Sequence, residues 1–407
     1  MGWLAGLCVA RAGASVMFMA YPTILAVVQA EWDLSAKAAG LISSGLQIGT
    51  AVALVVVSVL ADLVDPRRVF VASAALATLV SFAIAALADG LWSGLLLFTV
   101  LAVALAGTYT PAVMLISARF DPARRGNAVG WFIASSSAGH VVALLAGGAL
   151  VARWGWRAAI AGLALGPLAC LGLALWLFRG DAGRGTTPGG FTLRLDLAGN
   201  RPAQLMIAGY VFHSWELLGM WAWAPAFVAA ALVARGAGAD HAAGLGANLS
   251  ALFHVMGGVA SWAGGWLSDR WGRTAVIAGM LAVSTASSFV FGWLLLAPVA
   301  LLVAVGAVYG FSAVGDSAVF STGLTETVPA RRLGSVLALR SLLGFGVGAV
   351  APVAFGVVLD AHGGLEAGPT GWGWAFATLG VGGALGLLST LWLRLLPESR
   401  RLAGGRR

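Results

Sequence analysis

The sequence predicts an all-α polytopic membrane protein of twelve spans. Three observations carry that expectation. Hydrophobic residues fill 60% of the 407 positions and charged residues only 10%, against about 25% charged in a soluble chain. Mean hydropathy is +0.92. The apolar segments also recur along the whole length instead of forming one anchor. Such a chain has too little polar surface to coat a globule. That excludes a soluble enzyme with a tail, a secreted disulfide scaffold and a disordered chain. The net charge of +8 would suit a nucleic-acid partner in a soluble protein. In a membrane protein it is the excess expected of cytoplasmic loops, and no nucleic-acid partner is expected.

A helix needs roughly 20 apolar residues to cross a bilayer. Breaks at Gly, Pro and charge clusters delimit spans at 4–29, 37–61, 69–88, 91–118, 127–151 and 157–178, then at 203–233, 245–268, 275–296, 299–325, 334–359 and 371–395. The longest polar stretch, Arg179 to Arg201, separates two sets of six. The expected organisation is a six-helix bundle at 1–178, a cytoplasmic linker at 179–202, a second bundle at 203–396 and a short basic tail at 397–407. Within the linker the run Phe191 to Leu197 alternates; a plain loop is the expectation, a segment lying on the membrane surface the alternative. Cys8 and Cys170 fall inside apolar segments and read as small packing residues. No cleavable leader is expected, because the first residues lack a basic stretch and Arg11 interrupts the apolar run.

Orientation follows from the basic residues of short loops. With both termini inside, eighteen of the 24 Lys and Arg fall on the cytoplasmic side and four (Lys37, Arg153, Arg157, Arg235) outside, while Arg11 and Arg340 stay within the spans. The expected location is the bacterial inner membrane with both termini cytoplasmic.

The chain also repeats. At an offset of 207 residues Asp62 meets Asp269, Pro122-Ala-Arg-Arg125 meets Pro329-Ala-Arg-Arg332, Gln47 meets His254, Tyr109 meets Asp316 and Arg119 meets Glu326. A four-residue adjustment brings Pro22 onto Pro225. Two six-helix halves related by an axis along the membrane normal leave such a trace.

The loop Gly265-Trp-Leu-Ser-Asp269-Arg270-Trp-Gly272-Arg273-Thr274 resembles the signature between helices 8 and 9 of the major facilitator superfamily. Its first-half partner, Ser58 to Arg68, keeps Asp62 and the basic pair Arg67 and Arg68, but lacks the first Gly and the Arg after the acid. The stretch from Tyr109 through Arg124-Arg125-Gly126 to Gly155-Trp156-Arg157 is similar to bacterial members as well. The resemblance implies a secondary transporter working by alternating access between two bundles, with a small-molecule substrate and no enzymatic activity. It implies that Asp62 caps helix 11 near Gly334, that Asp269 caps helix 5 near Gly126, and that Glu326 pairs with Arg270. These contacts, with Arg273, would close the cytoplasmic side. It also implies that helices 1, 4, 7 and 10 line a central cavity.

An ionisable side chain at mid-membrane costs about 2.5–3.5 kcal/mol on insertion scales, so each one demands a partner or a task. Arg11, Tyr109, His213, Glu216 and Asp316 all lie on the four cavity helices. Under the pseudo-symmetry Arg11 corresponds to Ser214, between His213 and Glu216. Arg11 is then expected to bind an anionic substrate group while Glu216 carries a coupling proton; an ion pair between halves, or Arg11 snorkelling to the surface, are the alternatives. His213 and Glu216 share a helix face and can trade a proton. Asp316 and Arg340 are expected to form a structural salt bridge, with Asp316 as a second proton site. Tyr21, on the face continued from Arg11, and Trp223 and His254 complete the candidate substrate contacts. Trp32, Trp92, Trp154, Trp156, Trp372 and Trp374 fit interfacial belts.

No metal-ligand spacing, Walker loop or activated nucleophile is present, so no cofactor is expected and a proton gradient is the expected energy source. The glycines at 344, 346 and 348 read as close helix packing. The function expected is proton-coupled transport of a small anionic or zwitterionic solute by a monomer. A proton-coupled exporter of drug-like molecules is the rival, weakened because Gly139 to Gly148 lacks the Gly-Pro usual on helix 5 of such exporters. A transporter-like receptor is less favoured for want of a long cytoplasmic segment.

Overall fold

The computed structural model describes residues 2–179, 197 and 199–406; the linker run at 191–196 and Arg184 and Arg194 lie outside them, and nothing is described of the Asp62 side chain. Its elements are helices, with short 3-10 turns, and the described residues contain no strand. We number the membrane-length helices α1 (Gly2–Glu31), α2 (Ala36–Leu63), α3 (Pro66–Leu87), α4 (Leu91–Arg119), α5 (122–154), α6 (156–177), α7 (Arg201–Val233), α8 (Ala239–Trp271), α9 (Arg273–Leu296), α10 (Val299–Thr327), α11 (330–360) and α12 (Pro369–Leu395).

Among the described residues eleven continuous helical stretches are long and apolar enough to span a bilayer. One of them, Arg124–Leu177, has 54 residues, roughly 80 Å of helix, far more than one crossing takes. It reverses at Gly155, whose φ of 77° is reached at low cost only without a Cβ. The packing of Gly147 on Leu163 and of Gly162 on Leu150 shows α5 and α6 to be a hairpin. Twelve spans result, as expected. Large apolar side chains such as Leu79, Trp92, Trp262 and Leu395 remain exposed on the outside, where lipid replaces water. Trp372 and Trp156 depart from the expected belts. Both are buried, Trp372 among Phe227, Phe355 and Phe376, and Trp156 against Trp32.

Among the described residues four spans are interrupted: α6 at Ala164, α11 at Ala349 and Val350, and α1 and α10 near their middles. In α1 the 3-10 turn Met17–Met19 interrupts the helix, and in α10 the α-helix stops at Gly315 and restarts at Ser317, with Asp316 between. A break exposes backbone groups that a membrane helix normally satisfies, so side chains gather there.

The first six helices meet the last six mainly at the face away from the chain termini. There α2 lies along the last part of α11, with Gly40 against the Pro352 carbonyl and Gly356 against Ala36. The Asp360 carboxylate accepts from the Ala36 and Lys37 amides at 2.6 and 2.8 Å, capping the N-terminus of α2. Gly148 of α5 sits on Gly244 and Asn248 of α8. Toward the terminal face the contacts thin out. Residues 2–16 of α1 pack on α5 and α6, and residues 317–327 of α10 pack on α7 and α8, without substantial contact across the halves among the described residues. The molecule is a cleft, closed at the far face and parted at the terminal face.

A candidate solute and proton site at mid-membrane

Arg11 is fixed by the packing of its helix. Gly13 lies against Gly166 of α6, and Gly139 of α5 against the Ala12 carbonyl, so the depth and azimuth of Arg11 are set by backbone contact. Its Nε donates to Ser136 Oγ at 2.8 Å and its Nη1 reaches Thr108 Oγ1 at 3.4 Å. The guanidinium stands over Tyr109 and Phe132, 5.1 and 5.8 Å from the ring centroids. It is half-buried and turned between α4 and α5, so it does not snorkel. Among the described residues no carboxylate comes within salt-bridge distance of it.

In the last six helices the acids are enclosed. His213 Nδ1 lies 2.9 Å from Asp316 Oδ1, with both residues about 1% exposed, and His213 Nε2 is 2.7 Å from Ser317 Oγ. The His213–Asp316 approach is close enough for attraction but out of line for a hydrogen bond, and no other described donor meets either Asp316 oxygen. Glu216 points the other way, into the interior formed by α9, α10 and α12. Ser284 and Ser288 donate to its two oxygens at 2.9 and 2.6 Å, and Ser288 also meets the Tyr309 hydroxyl at 2.5 Å. Gly383 of α12 makes the room, for a Cβ there would touch Glu216 Oε2.

Several expectations need correction. Asp316 does not pair with Arg340. Its partner is His213, because the break in α10 turns Asp316 toward α7; Arg340 donates to Ser321 Oγ at 2.6 Å and stands 4.1 Å over the Tyr210 ring. Glu216 does not share a cavity with Arg11; lying three residues beyond His213 leaves it on the inner side of α7. Tyr21 is fully buried against Phe98, donating to the Ala39 carbonyl, and Trp223 is fully buried on Phe355, donating to the Pro352 carbonyl. Trp223 therefore belongs to packing. The tryptophan facing the other half is Trp221, whose ring meets Phe18, His140 and His254. A small cavity beside it is lined by Phe18, Tyr21, Ser43, Gln47 and Trp221, and Ser43 Oγ and Gln47 Oε1 are buried there without a hydrogen bond.

At the terminal face Glu326 pairs with Arg273, at 2.8 Å, not with Arg270, which lies on the Trp266 ring. Gly272, at φ 94°, makes the tight turn that starts α9 and brings Arg273 back over Ser268 and Asp269, at 2.7 and 2.5 Å. Asp269 is thus held within its own half, and Gly126 is exposed with no close neighbour. The expected cap of α5 is not made with the cleft parted at this face. Arg67 lies 3.6 Å from Asp65, the N-cap of α3, and Arg68 is exposed.

Sequence reasoning missed Asp360, Tyr210, Ser136 and the serines around Glu216. Tyr210 had a signal in its spacing of three from His213. The hydroxyls had none, since serine in an apolar helix more often bonds its own backbone.

Twelve spans around a cleft, with titratable groups buried midway, define a polytopic carrier-like membrane protein. Residues 6–238 match the family model of the Major Facilitator Superfamily, and the chain belongs to that superfamily. Among solved structures it is similar to a bacterial homologue of the human lysosomal transporter Spinster in an inward-facing, occupied conformation, with 17% identity, a TM-score of 0.78 and 97% of each chain covered. The same homologue, inward-facing and unoccupied, gives 16% identity and a TM-score of 0.76, covering 100% of this chain and 98% of that one. The nucleoside transporter NupG gives 14% identity and a TM-score of 0.69, covering 97% and 100%. At these identities the likeness is one of fold. No curated protein matches the sequence.

Proposed function

We propose that this protein is a secondary active transporter that moves a small anionic or zwitterionic organic solute by alternating access, coupled to protons. One observation carries the reading: Arg11 lies about a third of the way along the first span, held by two hydroxyls and two aromatic faces, with no carboxylate within salt-bridge distance among the described residues. A cation held that way in low dielectric lacks a counter-charge, and a substrate carboxylate supplies one. His213 and Asp316, enclosed together with Nδ1 and Oδ1 2.9 Å apart, are the proton site in this reading. Glu216, capped by two serines, is the reserve site. The basic loops support cytoplasmic termini in the bacterial inner membrane, which makes the parted face the inward one. Similarity to inward-facing relatives supports that assignment.

The rival exporter of drug-like cations draws on the aromatic group of Phe18, His140, Trp221 and His254. Uptake into proteoliposomes under an imposed pH gradient separates the two. Transport of small carboxylates or phosphonates, lost in Arg11→Gln, supports the anion carrier. Transport of lipophilic aromatic cations alone overturns it.

A further inference from the structure

One helical turn inside the far-face seal, where Gly40 rests on the Pro352 carbonyl, two polar side chains of α2 line a cavity between the halves. Ser43 and Gln47 are four residues apart and so share one stripe of the helix. They are only 4% and 6% exposed, yet Ser43 Oγ and Gln47 Oε1 have no hydrogen-bond partner. For Ser43 the reason is local. A serine in a helix ordinarily donates to the carbonyl four residues back, which here is Ala39, and that carbonyl takes the Tyr21 hydroxyl at 2.9 Å. The adjacent Ser44 is satisfied, donating to the Ala349 carbonyl of the other half.

The remaining wall comes from the break in α1 and from α7. The 3-10 turn Met17–Met19 presents Phe18, and α7 presents Trp221. The register that sets Pro22 on Pro225 also sets Phe18 on Trp221, and these two rings meet edge to face at 6.3 Å. The cavity therefore lies beside the pseudo-symmetry axis and is built from both halves. It holds about 10 Å³, room for a group the size of one water.

Buried oxygens without a donor are costly. Here two of them stand beside the aromatic walls of Phe18, Tyr21 and Trp221, and none of the described lining residues is charged. That chemistry suits a small cationic donor, because the oxygens accept from N–H groups and ring faces attract cations. A free cation would enter uncompensated, whereas a zwitterion carries its own counter-charge. We infer that Ser43, Gln47 and Trp221 form a subsite for the ammonium group of a zwitterionic solute, such as an amino acid, at the closed end of the cleft. This rests on the carrier reading and narrows its solute from an anion to a zwitterion, whose carboxylate remains with Arg11.

The test is calorimetric titration of the purified full-length protein in detergent with glycine, β-alanine, 4-aminobutyrate and 6-aminohexanoate, which cover a range of spacings. Each is compared with two isosteres, one carrying methyl in place of the ammonium and one carrying methyl in place of the carboxylate. At least one amino acid should bind about 10- to 100-fold tighter than its ammonium-free isostere, the scale of a charged hydrogen bond. Gln47→Leu and Ser43→Ala should each lower that preference and leave the ammonium-free isostere unchanged. Both replace an unpartnered buried polar group by an apolar one, so the fold should be retained; the wild-type comparison decides even if either variant fails to fold. Amino acids that bind no tighter than their ammonium-free isosteres overturn the subsite and leave the anion carrier standing. A preference that survives both substitutions overturns Ser43 and Gln47 as its acceptors. Carboxylate-free amines that bind as tightly as the amino acids overturn the zwitterion and the role of Arg11 together, and no binding by any probe does the same.

Discussion

The two halves of the molecule bury charge in opposite ways. In the first six helices the mid-membrane charge is Arg11, held by Ser136, Thr108 and two aromatic faces. The last six also hold an arginine, Arg340, on a serine and an aromatic face, but they enclose two acids besides, and these are provided for unequally: Glu216 receives two serine hydroxyls, while Asp316 has His213 alone at close range among the described residues. Neutral groups keep a charge in place without cancelling it, so it can still meet a mobile counter-ion. A carboxylate sealed behind packed helices can exchange only something as small as a proton. In the proposed reading, the guanidinium of Arg11 meets the solute and the enclosed carboxylates carry the proton.

The largest effect expected is from Arg11→Gln. It removes the first-half charge and should lower anion affinity by about 100-fold or more, the scale of a charged hydrogen-bonding pair removed outright, read by titration; retained affinity makes Arg11 a packing residue. Next is Asp316→Asn, which leaves shape and removes the titrating group. Solute binding should persist while uptake loses its response to an imposed pH gradient, and an unchanged response moves the coupling site to Glu216. Gly383→Ala strikes the serine-capped acid through packing: the methyl meets Glu216 Oε2 and Thr285, an overpacking expected to cost about 1–3 kcal/mol and to lower Tm with little change in anion affinity. Asp360→Ala leaves the Ser35 cap of α2 but removes the carboxylate from the other half that accepts from its first amides, a loss of about 0.5–2 kcal/mol, and should raise labelling of a cysteine placed at Lys37 by a membrane-impermeant reagent. The smallest is Glu326→Gln. Arg273 keeps Asp269 and Ser268, so the loss should stay below about 1 kcal/mol in a thermal melt.

The spans were legible in the sequence because length and apolarity are properties of each segment alone. The hairpin at Gly155 was legible for the same reason, since Arg153, Trp154 and Arg157 mark a loop. Partner choice was not legible. The expected salt bridge of Asp316 with Arg340 used only equal depth on adjacent helices, and depth fixes height but not azimuth. The break at Asp316 rotated the carboxylate toward α7, and no periodicity argument carries through an interrupted helix. Glu216 failed in a related way. Three residues from His213 is a shared face for an isolated helix, yet α7 is buried on nearly every side, so neighbouring positions look into different interiors. Depth made Arg11 a candidate, while its serine and threonine partners emerged only from the packing of α1 against α5 and α4.

The glycines at the far face have a mechanical meaning. Where Gly40 meets Pro352 and Gly356 meets Ala36, main chain rests on main chain with no side chains interlocked between. Smooth surfaces part without rotamers having to change, so separating them costs buried area but little rearrangement. The seal therefore works as a bearing with no teeth, and its clearance is less than one methyl group. A wedge as small as alanine at Gly356 should prop the far face ajar and tilt the protein toward its opposite state, although no residue near Arg11, Asp316 or Arg340 has been altered.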